Sequence, residues 1–185
     1  NLLGAEGAHA IQAANDAARV YLLHDGVEAG QARIDLIQKA KKSITAQYFI
    51  YADDETSYVS LALLREAAHR GVRVRILVDA LFNGIPIELR EYLQYEGVEI
   101  REYHQVKLSK LKWVTRRLHD KVLIIDDEEM ITGGRNIQND YYNLPGDNQY
   151  IDRDAYVKGE VVSQAVNHFE ELWNSKEVGP VPFGS

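Results

Sequence analysis

The chain has 185 residues, 45% of them apolar, with 21 basic and 28 acidic side chains and a net charge of −7. This length and apolar content allow one domain with a real core and exclude a disordered chain, while the acidic balance excludes a general nucleic-acid binder by bulk charge but not a local basic patch. The absence of cysteine excludes disulfides and thiolate metal sites, and no apolar run approaches the ~20 residues of a bilayer-spanning helix.

The sequence starts at Asn1 and its one methionine is Met130, so it reads as a processed or trimmed chain. Residues 1–19 read as an Ala/Gly-rich arm or weak helix, residues 20–178 as a single domain, and residues 179–185 as a tail. Val20–Leu23 suggests a short strand before a His24-Asp25-Gly26 turn. From Val27 to Lys42, Ala29, Ala32, Leu36 and Ala40 recur at helical spacing. Ser43–Tyr51 alternates as a strand, and Asp53-Asp54-Glu55-Thr56 can cap a helix over Ser57–Arg70 that Gly71 ends. A strand over Val72–Asp79, a helix over Ile87–Tyr95 and a strand over Val98–Tyr103 follow. Strands alternating with helices predict parallel pairing and an α/β sandwich. The pattern lapses over His104–Thr115. Leu118–Ile125 and Met130–Thr132 then read as a hairpin about Asp126-Asp127, followed by a polar loop over Asn136–Gln149. A short strand over Asp152–Val157 and an amphipathic helix over Val161–Asn174 close the domain.

The chemistry concentrates around His119 and Lys121. On a strand, alternate residues share a face, so these two point the same way while Val122–Ile125 anchors the strand in the core. An ammonium beside four apolar residues is costly to bury without an anion, and a phosphate would serve. Gly133 and Gly134 read either as a strand-ending turn or as positions where a substrate can approach the backbone, with the Asn136 amide donating to a phosphate oxygen. Asp152 and Asp154 share a strand face and in the plain case are surface carboxylates. A working imidazole needs an acceptor on its other nitrogen, and Asp152 is the candidate for that role. Asp126 reads more naturally as a turn residue than as a catalytic one. Lys107, Lys110, Lys112, Arg116 and Arg117 form a basic segment around Trp113 that is either a solvated loop or a contact for substrate phosphate, lipid head groups or nucleic acid. No phosphate-binding glycine loop and no histidine pair at metal-ligand spacing is present, and Asp53-Asp54-Glu55 reads as a turn rather than a metal site.

The pattern His119-x-Lys121-x4-Asp126-x6-Gly133-Gly134-x-Asn136 resembles the HKD motif of the phospholipase D superfamily. The likeness extends to Leu36–Ile44 and Gln47–Tyr51. Thr132–Ile137 and Asp140-Tyr141-Tyr142 are similar to the bacterial cardiolipin-synthase-like branch. Asp152, seven residues before Gly159, stands where the family's histidine-orienting carboxylate sits. The resemblance implies an α-β-α sandwich with a mixed, mostly parallel sheet. It implies a phosphodiesterase or phosphatidyltransferase acting on phospholipids through a phosphohistidine, with His119, Lys121, Asn136, Asp152 and Asp126 as motif residues and no metal or cofactor. Family sites pair two such motifs, yet this sequence holds one. A second HKD domain is therefore expected, either from a missing C-terminal half or from a second copy of the chain. The other readings are a homodimeric endonuclease, which the net charge counts against, and a non-catalytic module sitting on anionic membrane. A membrane-associated, periplasmic or secreted bacterial setting is what the resemblance favours.

Overall fold

The computed structural model describes residues 18–103, 121–145 and 149–181. In chain order these form β1 (Ala18–Leu23), α1 (Gly26–Lys39), β2 (Ser43–Tyr48), α2 (Glu55–His69), β3 (Arg73–Asp79), α3 (Ile87–Tyr95), β4 (Val98–Tyr103), β5 (Lys121–Ile125), β6 (Glu129–Gly133), β7 (Asp154–Gly159), α4 (Val162–Trp173) and β8 (Val178–Pro180). The first two helices start where short polar side chains cap them. Asp25 accepts from the Val27 and Glu28 N–H groups ahead of α1, and Asp54 accepts from Ser57 N–H at the start of α2. Gly71 (φ +88°) and Gly97 (φ +94°) supply the left-handed residues that turn the chain from α2 into β3 and from α3 into β4.

The described strands make one eight-stranded sheet in the order β1-β7-β6-β5-β2-β3-β4-β8. The sheet is mixed, as expected, but its pairing is mostly antiparallel. Only β2–β3 and β3–β4 run parallel. The reason is connectivity. Helices α2 and α3 each cross over between neighbouring strands, which returns the chain in the same direction, whereas β5–β6 is a tight hairpin and β1 and β8 arrive without a crossover. Strand β8 also corrects the reading of residues 179–185 as a plain tail, because Gly179 and Pro180 pair with Glu102 and Arg101.

The two faces are covered unequally. The register Ile44↔Ile125 and Ala46↔Leu123 puts these side chains on one face. There they join Leu36 and Ile37 of α1, Leu61 and Leu64 of α2 and Leu93 of α3 in the principal core. The opposite face is covered by α4. Its Val162 end meets Val122, Ile124 and Val157, and its Phe169 and Trp173 end meets Leu77. Arg75 is carried to that face by strand alternation. Its guanidinium lies 4.9 Å from the Phe169 ring centroid and 2.6 Å from the Glu170 carboxylate, which keeps a buried charge paired.

Candidate active site

Lys121, Gly133, Gly134, Asn136 and Asp152 lie toward one end of the sheet. Lys121, Gly133 and Asp154 stand in a single row across β5, β6 and β7. Because β2 runs antiparallel to β5, the residues leaving β2 lie at this same end. The Nζ of Lys121 is 5.9 Å from the centroid of the Phe49 ring, and Phe49 stacks at a tilt on Phe82 with ring centroids 5.0 Å apart. Leu81, beside this pair, is 75% exposed. Asn136 is buried, and its Oδ1 accepts from the Ile50 N–H at 2.9 Å. That bond orients the amide. The Nδ2 lies 3.5 Å from the Tyr141 hydroxyl.

The two glycines have a different use from an open approach for substrate. A Cβ on Gly134 would lie 2.1 Å from Oδ2 of Asp152, and one on Gly133 would lie 2.3 Å from Oδ1 of Asp154 and 2.4 Å from the Arg153 carbonyl oxygen. The space left by the missing side chains is filled by the start of β7. The glycines therefore admit carboxylates rather than a ligand on that side, and Gly134 fixes where Asp152 can sit. The Asp152 Oδ1 accepts from the N–H of Arg153 at 2.7 Å.

Asp154 is not a surface carboxylate. It is buried between two buried guanidiniums, with Oδ2 3.0 Å from Arg33 Nη2 and 3.2 Å from Arg135 Nη1. Arg135 also donates to the carbonyls of Leu23, His24 and Tyr141, tying β1 and the loop after β6 to the site end of the sheet. Arg33 donates to the Tyr48 hydroxyl and the Ala29 carbonyl, and its guanidinium lies 5.4 Å from the centroid of the Tyr142 ring. Burial alone would lower the Arg33 pKa, but Tyr142, Tyr48 and Asp154 together raise it, so the charge is retained. The sequence reading missed Arg33 and Arg135. Arg33 did leave a signal, since it lies one turn after Ala29 and one turn before Leu36 and Ile37, on the apolar stripe of α1. Arg135 left none beyond its place between Gly134 and Asn136.

Asp126 lies at the other end of β5 and is not brought to Lys121, Asn136 and Asp152. It occupies a left-handed turn with Asp127 (φ 54° and 59°), and its carboxylate accepts from the N–H groups of Lys41, Lys42 and Ser43 at 2.6–3.1 Å. Burial pushes its pKa up, but the three backbone donors outweigh that and hold the carboxyl below its ordinary value. Its placement is that of a clasp between the hairpin and the start of β2. His119 lies outside the described residues, as do Lys110, Lys112, Arg116 and Arg117, together with Lys107 and Trp113. Among the described residues no group of three or more His, Asp or Glu side chains could hold a metal ion, and no helix is long and apolar enough to cross a membrane.

A hairpin lysine, an amide oriented by a backbone donor and a carboxylate seated against a glycine thus lie toward one end of the sheet. The family model described as cardiolipin synthase, PLD-like domain, matches residues 33–173, and the chain belongs to this phospholipase D-like family of phosphodiesterases and transferases. The chain is 30% identical over 172 residues to cardiolipin synthase C of Escherichia coli K12, an alignment covering 88% of this chain and 36% of that one. It spans about a third of the length of the curated relatives it matches. Among solved structures, Nuc from Salmonella typhimurium, a phospholipase D family member, superposes with a TM-score of 0.65 at 22% identity, covering 88% of this chain and 97% of Nuc. Phosphatidylserine synthase from Haemophilus influenzae superposes with a TM-score of 0.69 at 20% identity, covering 97% of this chain but 44% of that one.

Proposed function

We propose that this chain supplies half of the active site of a phospholipid phosphodiesterase or phosphatidyltransferase. The observation that carries the proposal is the convergence of Lys121, Asn136 and Asp152 at the end of the sheet from which the His119-x-Lys121 motif continues. A His119 nitrogen attacks phosphorus, forming a P–N bond as the P–O bond to the leaving alcohol breaks. The proton for that alcohol comes from the histidine of the second motif, which then takes a proton from water or an acceptor alcohol as the P–N bond is broken. Lys121 and the Asn136 Nδ2 face the phosphoryl oxygens, where fixed donors act most strongly on developing charge. Asp152 accepts from the second nitrogen of His119 and holds its tautomer. Basic residues Lys110, Lys112, Arg116 and Arg117 meet the anionic surface of the substrate. The exposed Leu81 and the Phe49–Phe82 pair beside Lys121 give the site an apolar rim suited to acyl chains.

The second motif comes, in this reading, from the rest of a longer chain. The relatives that the chain matches are about three times its length, which favours that source. The test is turnover of phosphatidylglycerol by the full-length protein. His119→Ala is expected to abolish measurable turnover, and Lys121→Ala to reduce it by roughly 10²–10³-fold with the fold intact. Normal turnover by either variant overturns the assignment.

A second reading is a self-paired nuclease, favoured by the near-complete coverage of Nuc, a chain of similar extent. A dimer that cleaves DNA in a salt-sensitive manner supports it. A monomer that neither binds nor cleaves DNA removes it.

A further inference from the structure

Between α1, α2 and the sheet lies a cavity of about 160 Å³ whose lining includes none of Lys121, Asn136 or Asp152. Its interior wall is aliphatic and deeply buried, with Ile37, Leu64, Leu123 and Ile137 each at most 4% exposed. The exposed residues of its lining are Glu55, Val59 and Leu144. They place the mouth between the start of α2 and the loop after β6.

The polar side chains that border this cavity are turned to other partners. Arg33 donates to the Ala29 carbonyl, the Tyr48 hydroxyl and the Asp154 carboxylate. The Tyr51 and Ser60 hydroxyls bond to each other, and the Thr56 Oγ1 donates to Asn139 Oδ1 at 2.7 Å. The Tyr142 hydroxyl is covered by protein and presents no surface to the cavity, so this residue contributes its ring. The space is therefore enclosed by polar residues without being polar itself. A water molecule inside would find too few of the two to four partners, roughly, that a buried water takes. An ion is matched no better, because burying a charge without a partner is costly, and the charged side chain at the mouth, Glu55, is acidic. What these walls complement is apolar surface, whose removal from water is favourable in proportion to its area. An apolar cavity of ~150 Å³ stays dry and takes a guest about the size of benzene.

We propose that this cavity binds a small uncharged aliphatic molecule of about six carbons, entering between Val59 and Leu144. The site is distinct from the phosphodiester site and does not rest on that reading. A terminal hydroxyl can remain in the mouth, in water. A carboxylate there would stand beside Glu55, so a fatty acid is not its ligand.

Calorimetric titration of the folded chain with 1-hexanol tests the proposal. Saturable one-site binding is expected, with sodium hexanoate, which has the same carbon skeleton, weaker by about tenfold or more. Ala46→Leu fills the cavity from β2, and Val59→Trp narrows its mouth from an exposed position. Each is expected to weaken 1-hexanol by about tenfold or more. The thermal midpoint of Val59→Trp is expected to stay near that of the parent, which separates loss of binding from loss of folding. No saturable heat with the folded parent, hexanoate bound as tightly as 1-hexanol, or 1-hexanol binding that survives both substitutions each overturn the proposal.

Discussion

The two ends of β5 use similar residues in opposite ways. At its C-terminal end, Asp126 spends its carboxylate on the three N–H groups of Lys41, Lys42 and Ser43, and nearby Glu129 is held by Lys39 and Tyr156. At its N-terminal end, Asp152 is pressed against Gly134 and takes only the N–H of its own neighbour among the described residues, while Asn136 keeps its Nδ2 at a long 3.5 Å from the Tyr141 hydroxyl. One carboxylate is saturated by the backbone. The other is positioned but left with capacity to accept. A saturated carboxylate has little left to offer a reaction, whereas a placed one with spare lone pairs can orient a histidine. Asp126 therefore closes the structure that carries Lys121 at the other end of β5, and it has no part at that end of the sheet.

Three substitutions break or sharpen this contrast. The largest effect is expected from Asp154→Ala, which strands the guanidiniums of Arg33 and Arg135 behind the site end of the sheet. Removing one partner of a buried ion pair costs about 3–5 kcal/mol, to be read from chemical denaturation, and a loss below ~1 kcal/mol would mean the cluster finds other partners. Gly134→Ala comes next. Its Cβ collides with the Asp152 carboxylate, and overpacking of this kind costs about 1–3 kcal/mol. If the collision is with Asp152 alone, adding Asp152→Ala restores stability but not activity, and the double-mutant cycle measures that coupling directly. The smallest effect is expected from Asp126→Asn, about 1–2 kcal/mol, from weakened bonds to three backbone donors. Its signature is the pH dependence. The folded-state pKa of Asp126 is depressed, so its contribution is fully present above the unfolded pKa of about 3.9 and is lost as pH falls through the lower folded value. The Asp126→Asn variant is expected to lose that part of the acid sensitivity while turnover per folded molecule stays near the parent's.

Much of this is legible in the sequence. The helices α1 to α4 announce themselves by apolar periodicity, α2 also by Asp54 and Gly71 and α3 by Gly97 at their ends. The hairpin is visible because a continuous apolar run meets two aspartates that tolerate a left-handed turn. What stayed hidden was strand direction. Periodicity reports which face a residue takes but not which neighbour it pairs with, so the antiparallel majority of the sheet emerged only from the register. The meaning of Gly133 and Gly134 was equally out of reach, since a glycine records that something is close without saying what. Asp154 was misread because a charged residue at a strand start is exposed in most settings, and its two arginine partners lie 121 and 19 residues away in sequence.

The bond from the Ile50 N–H to the Asn136 Oδ1 has a consequence for the polarity of the site. A side-chain amide can present either its oxygen or its nitrogen. A main-chain donor that cannot rotate claims the oxygen, so the nitrogen is the end left over. The sign of the dipole is thus written into the backbone before any anion arrives, and folding rather than binding carries the cost of turning it. An aspartate at this position would keep the Ile50 bond and the shape while replacing a donor with an acceptor, so under the proposed function it would repel the phosphoryl oxygen that Asn136 is proposed to meet.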